Sequence, residues 1–227
     1  MARKIFMAIC LLVAVTTAAL IFYFFLVHPW YSKWGATREE VSVRLPGDEM
    51  VLEPKISYTR AIDINAPPFK VWPWLVQMGQ GRGGLYSYDW LENLFGLDIH
   101  SADRIIMQYQ DLKVGDRIKI GKNFPPAIPV KYIEARRALV MGGIVDTATG
   151  QGLEPGELFP QKYFSSSWSF NLDSKDGKTT RLVVRGRTDY NKSLFNFLAC
   201  RVILEPAGFI MERKMLQGIK YRAEHEN

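Results

Sequence analysis

Residues 5 to 27, IFMAICLLVAVTTAALIFYFFLV, are predominantly apolar and carry no charge, and beyond that point apolar residues come only in short alternating or helical patterns. At 1.5 Å per residue these 23 positions extend about 34 Å, enough to cross a hydrocarbon core about 30 Å thick. The segment is expected to be an uncleaved spanning helix. In a secretory signal the apolar core would stop after about 7–15 residues, whereas here the small residues Thr16 to Ala19 are followed by further apolar ones. Arg3 and Lys4 flank one end, and Trp30, Tyr31 and Trp34 mark the other as an interfacial belt. The positive-inside rule then predicts a cytoplasmic N-terminus and an extracytoplasmic domain, with His28, Lys33 and Arg38 as a weaker opposing charge.

The remainder alternates between the two regular periods. Residues 35–55 mix charge, Gly and Pro around Val41, Val43 and Leu45, a linker that could add an edge strand. Ile56, Tyr58, Arg60, Ile62 and Ile64 alternate as a strand that ends at Asn65-Ala66-Pro67-Pro68. A helix over about 69–78 should follow, with Pro73 near its first turn, where a missing amide costs least. Asp89 and Glu92 have capping-box spacing, and Gly96 is a natural stop, so a short helix is expected at 90–95. Short strands are expected at 116–120, 130–133 and 138–141, and a loop over 146–162 that carries Glu154 and Glu157. Trp168, Phe170 and Leu172 alternate up to the turn Asp176-Gly177, and alternation resumes over 181–190, which predicts a hairpin. Residues 193–225 read as helix, with Pro206-Ala207-Gly208 as a kink or restart; Met211, Met215, Gly218 and Ile219 form its apolar stripe and Glu212, Arg213, Lys214 and Lys220 flank it.

Strand, two short helices, antiparallel strands and a long terminal helix make an α+β domain, in which a curved sheet needs one large helix to cover its concave face. The expected organisation is an N-terminal transmembrane anchor over 1–34, a linker or edge segment over 35–55, and one ligand-binding domain over 56–227. A sheet curved around a helix leaves an apolar space between them, which is where a ligand is expected.

Composition narrows the function classes. The chain has 227 residues, 48% of them hydrophobic and 13% aromatic, which excludes a disordered or low-complexity protein. Two cysteines and three scattered histidines give no structural metal site, and no cofactor motif is present. Lys and Arg number 29 against 23 Asp and Glu, with no basic run, so nucleic acid is not an expected partner.

The blocks YTRAIDINAPPFKVWPWLVQMGQGRGGLYSYDWLENLFG (58–96) and MERKMLQGIKYRAE (211–224) resemble the START-like helix-grip superfamily, which includes polyketide cyclases/dehydrases and lipid-transport proteins (SRPBCC type), and specifically its uncharacterised membrane-anchored prokaryotic members. The resemblance covers residues 56–225 in element order and implies a helix-grip fold, with a long C-terminal helix gripped by the sheet around a hydrophobic cavity. The activities of such proteins range from lipid transfer to cyclisation, so fold alone does not name the function.

Candidate ligand contacts follow from residues whose chemistry is out of place. Arg60 shares a strand face with four apolar residues and must be paired if that face is buried, with Asp89 or a ligand anion as partner. Arg82 lies in Gly79-Gln80-Gly81-Arg82-Gly83-Gly84, which is either a tight connection or a loop at a pocket mouth; a dinucleotide loop would follow a strand instead. Trp74, Tyr86, Tyr88 and Trp90, together with Trp72, are core packing or an aromatic wall, and Met211 and Met215 are gap-fillers or a pliable lining. His100-Ser101-Ala102-Asp103 is a sequence neighbourhood with no catalytic signature around it, and no catalytic residue is assigned. The expected function is membrane-anchored binding or transfer of a lipid, isoprenoid or polyketide-like molecule. Two alternatives remain open: a cyclase or dehydratase using Arg60, Tyr86 or Tyr88, and Asp89, and a module of a membrane complex that binds no ligand.

Overall fold

The computed structural model describes residues 1–122, 127–153 and 157–226. Its N-terminal helix α1 (Ala2–Phe22) passes through a π-helical turn (Tyr23–Val27) into α2 (His28–Ser32). Together they are long and apolar enough to cross a membrane over Arg3–Ser32, and the most apolar 18-residue window of that span is not buried by the rest of the chain. Residues 35–55, read as a linker that could add an edge strand, hold α3 (Arg38–Ser42) instead of a strand. The physical reason is local: Thr37 and Glu40 form a capping box, with Glu40 N donating to Thr37 Oγ1 at 3.1 Å and Thr37 N to Glu40 Oε2 at 2.7 Å. Those two bonds outweigh the alternation of three apolar residues.

The sheet contains β1 (Ile56–Ile64), β2 (Arg117–Ile118), β3 (Ile128–Glu134), β4 (Ala138–Asp146), β5 (Gln151–Gly152), β6 (Tyr163–Asp173) and β7 (Thr180–Tyr190). Its order is β1-β7-β6-β4-β3-β2, antiparallel throughout, with β5 paired to β4. The expected 168–190 hairpin is present as β6–β7, and β5 lies in the stretch read as loop; Glu154 lies outside the described residues. Between β1 and β2 stand α4 (Pro68–Val76) and α5 (Asp89–Leu94). Pro73 sits inside α4 rather than in its first turn, because the helix begins at Pro68 and is short.

The chain ends in α6 (Leu194–Leu198), a π-helical stretch (Ala199–Leu204) and α7 (Glu205–His225), which restarts with Pro206 in its first turn. The fold is thus α+β, a curved antiparallel sheet with the long α7 across its concave face. Ile64, Phe170, Leu182 and Val184 of the sheet pack with Trp74 and Leu75 of α4 and with Met215, Leu216 and Ile219 of α7 in one core. Gly218 lets the backbone at Tyr86 approach α7; a β-carbon there would overlap the Tyr86 carbonyl oxygen.

The outer face of β7 carries arginines where an exposed strand would carry any polar residue. Arg185 is 4% exposed; it donates to Thr59 Oγ1, to the carbonyls of Glu40, Val41 and Val43, and to Asp48 Oδ2 at 2.6 Å. Arg181 binds Glu40 at 2.7 Å, and Arg187 donates to Val51 O and Leu52 O. These three residues strap the 35–55 segment to the sheet.

Candidate ligand-binding site

Alternation in β1 turns Tyr58, Arg60, Ile62 and Ile64 to the concave face. Arg60 is buried there, and its charge is met by Glu212 of α7, with Nη1 donating to Oε2 at 2.6 Å. Glu212 also accepts from Tyr58 Oη at 3.0 Å and from Trp168 Nε1 at 2.7 Å. Arg60 Nε donates to Tyr31 O at 3.0 Å, and its guanidinium lies over the rings of Tyr58 and Phe209 at 3.9 and 5.0 Å. A carboxylate with three donors and a guanidinium between two aromatic faces form a charge-neutral cluster, in which Arg60 Nη2 is buried without a hydrogen-bond partner. Burial and the neighbouring carboxylate hold the Tyr58 phenol well above its ordinary pKa, so it stays a donor.

Past this cluster the concave face opens. A cavity of about 690 Å³ is lined by Ile128 and Val130 of β3, Val145 of β4, Phe164 and Ser166 of β6, and Leu204 at the start of α7. That volume lies in the range of about 300–1,000 Å³ found for small-molecule sites. Arg117 and Lys131 are the charged side chains of the lining among the described residues, and both are cationic. Where α7 crosses the sheet, Met215, Leu216 and Ile219 share one core with Ile64, Phe170, Leu182 and Val184. The apolar space expected between sheet and helix is found at the end of the sheet where α7 gives way to the π-helical stretch.

The residues singled out in the sequence fall into three groups. Arg60 and Met215 face α7 or the sheet; Met215 is core, and Met211 is half-buried on α7. Trp74 and Tyr86 are 1% exposed and meet edge to face at 5.8 Å in the core. Tyr86 takes φ 57°, held by its Oη donating to Trp74 O and by Ser101 Oγ accepting from its amide. Burial holds its phenol above the ordinary pKa. Arg82 belongs to a tight turn closed by the Gly79–Gly84 bridge; it donates to Val76 O and Tyr109 O, and burial lowers its pKa.

Asp89 meets Ser101, accepting from its amide at 2.6 Å and its hydroxyl at 2.7 Å, and so is not the partner of Arg60. That engagement is also why the expected Asp89–Glu92 capping box does not form: Glu92 turns to Ser87 Oγ instead. His100 Nε2 meets Asp98 Oδ1 at 3.2 Å. Tyr88 lies 5.7 Å from Lys214 Nζ, and Trp90 is 69% exposed. None of the nine lines the 690 Å³ cavity. Among the described residues no three His, Cys, Asp or Glu side chains come together as a metal site.

Two groups escaped the sequence reading. Glu212, taken there as a flank of the stripe, is 5% exposed. Its place was legible, because Glu205, Phe209, Glu212, Leu216, Ile219 and Ala223 recur at alternating spacings of three and four and are all buried. The second is the seat of the N-terminal helix. Tyr23 Oη donates to Arg201 O at 2.8 Å, His28 and Arg201 both reach the buried Glu205 at 3.0 Å, and Tyr31 stacks on Phe209. No signal within either segment alone predicts such a long-range contact.

No protein-family model and no curated protein matches the chain. Similar solved structures include CalC, a self-sacrificing resistance protein of Micromonospora echinospora, 13% identical over 75% of this chain and 96% of that one, TM-score 0.43. A hypothetical protein of Helicobacter pylori is 13% identical over 80% and 96%, TM-score 0.45. A conserved protein of Geobacillus kaustophilus is 11% identical over 74% and 95%, TM-score 0.40.

Proposed function

We propose that the protein binds one hydrophobic small molecule, a lipid, isoprenoid or polyketide-like compound, in the cavity between β3, β4, β6 and the start of α7. The N-terminal helix anchors it in a membrane, with the N-terminus cytoplasmic and the domain on the other side. The observation that carries this reading is the cavity itself, roomy and apolar, with its charged lining wholly cationic among the described residues. The apolar walls suit a hydrophobic chain, and the exposed Lys131 suits a polar or anionic end. The alternative of cyclase or dehydratase chemistry has less support: Asp89 is engaged by Ser101 and Glu212 by three donors, and neither lines the cavity.

The test is photo-crosslinking of the full chain in vesicles with a diazirine-bearing fatty acid, followed by peptide mapping. Adducts within 127–131, 143–147 and 164–166 support the proposal. Adducts confined to residues 3–32 would count against it, because they would show only contact with bulk lipid.

A further inference from the structure

The segment joining the sheet to α7 displays an unusual surface. Phe197, Leu198, Val202, Ile203 and Leu204 are 43%, 48%, 43%, 64% and 59% exposed, while Cys200 on the same segment is buried and Arg201 turns inward to Glu205 and Lys55 O. Successive apolar residues facing outward would be costly in water, and a contiguous patch of this kind marks a contact surface.

Three observations say what covers it. First, the patch is bound to the end of the N-terminal helix: Tyr23 Oη donates to Arg201 O, and His28 Nε2 lies 2.6 Å from Arg201 Nη1. With Ile5 at one face of the hydrocarbon layer, Tyr23 lies about 27 Å along the helix, within a layer about 30 Å thick. The backbone at Arg201 therefore sits at the opposite boundary. Second, a separate loop brings more apolar surface to the same end of the sheet. Leu158 and Phe159 are 93% and 57% exposed, Phe159 packs on Tyr163, and Tyr163 N donates to Asn191 Oδ1, whose carbonyl accepts from Asn196 of α6. Third, Leu204 also lines the cavity.

We infer that residues 197–204 lie in the surface of the same bilayer that the N-terminal helix crosses, as an interfacial foot whose last residue forms the cavity wall. Residues 158–159 enter beside it. The ligand then exchanges with the leaflet rather than with water. The exchange step rests on the proposed ligand, whereas immersion of the foot rests only on the proposed membrane anchoring of the N-terminal helix. Burial of apolar side chains at the headgroup boundary supplies the binding, and exposed Lys192 beside the foot suits an anionic headgroup.

The experiment uses the full chain with Cys10 and Cys200 replaced by Ala. It is labelled with the fluorophore NBD at I203C, or at K178C in the β6–β7 turn at the far end of the sheet, and reconstituted in vesicles of three parts phosphatidylcholine to one of phosphatidylglycerol. Because depth is read without any cavity ligand, failure of the foot and failure of the ligand reading are separate results. We expect the label at 203 to be quenched by a shallow nitroxide lipid and to be at least 5-fold less sensitive to iodide than the label at 178. Iodide quenching equal at the two sites would overturn the proposal. So would protection from both quenchers together with energy transfer between chains, which would assign the patch to a second copy.

Discussion

Arg60 and Glu212 stand 152 residues apart in sequence and meet at 2.6 Å, with side chains 1% and 5% exposed. Neither charge has water to fall back on, so their energies are tied together. Glu212→Ala leaves the guanidinium buried and unpaired and is expected to cost about 3–5 kcal/mol, whereas R60M/E212L removes both charges and is expected to cost less, although Tyr58 Oη and Trp168 Nε1 still lose their acceptor. Denaturant unfolding of the detergent-solubilised chain measures both. A single and a double substitution of equal cost would mean that the pair is not coupled.

Gly186 faces Tyr58 across the β1–β7 pair, and a β-carbon at that position would overlap the Tyr58 ring. Gly186→Ala is expected to displace the ring from Glu212 and to destabilise by about 1–3 kcal/mol. Combining it with Tyr58→Leu should recover part of that loss. Thermal unfolding of the two variants checks the sign of the coupling.

Acid should loosen the strap on the outer face of the sheet. Hydrogen bonds from Arg181 hold the Glu40 carboxyl below its ordinary value of 4.5. The unfolded chain therefore takes up a proton first as pH falls; the contribution is intact above pH 4.5 and is lost as pH drops through the folded value. Glu92 acts in the opposite sense. Burial raises its pKa, so its contribution is complete below 4.5 and is lost as pH climbs through the folded value. Amide exchange over residues 37–52 should accelerate relative to the rest of the sheet as pH falls below 4.5, and Glu40→Gln should remove that pH dependence. Unchanged protection of the strap in acid would contradict this.

Arg201→Ala removes one partner of the buried Glu205 and the contact with Lys55 O. A cost of about 1–3 kcal/mol is expected, with faster exchange over 199–209 and little change in β6 and β7. Uniform acceleration across the sheet would show that the contact stabilises the domain as a whole rather than this segment.

Much of the fold was legible because its elements follow one period each. The β6–β7 hairpin, β1 and the restart of α7 at Pro206 are where alternation, Asp176-Gly177 and proline put them. The site was less legible, for three physical reasons. A glutamate inside an apolar helical stripe looks like a solvated flank until its partner is known, and the partner of Glu212 is far away in sequence. Thr37 and Glu40 held a helix signal that was masked by the alternation of Val41, Val43 and Leu45. The aromatic run from Trp72 to Trp90 drew attention toward the packed end of the groove, whereas the cavity takes its walls from Val130, Val145, Phe164 and Ser166, side chains too ordinary to stand out.

The most direct measurement is the amount of hydrophobic ligand that leaves the purified chain on solvent extraction, compared between the unaltered protein and Ser166→Trp, which fills the cavity from β6. One molecule of a defined compound per chain is expected from the unaltered protein, with at least a 10-fold loss in the variant and no change in its unfolding. Extracts identical in amount and composition, holding only bulk membrane lipid, would show that the cavity carries no ligand.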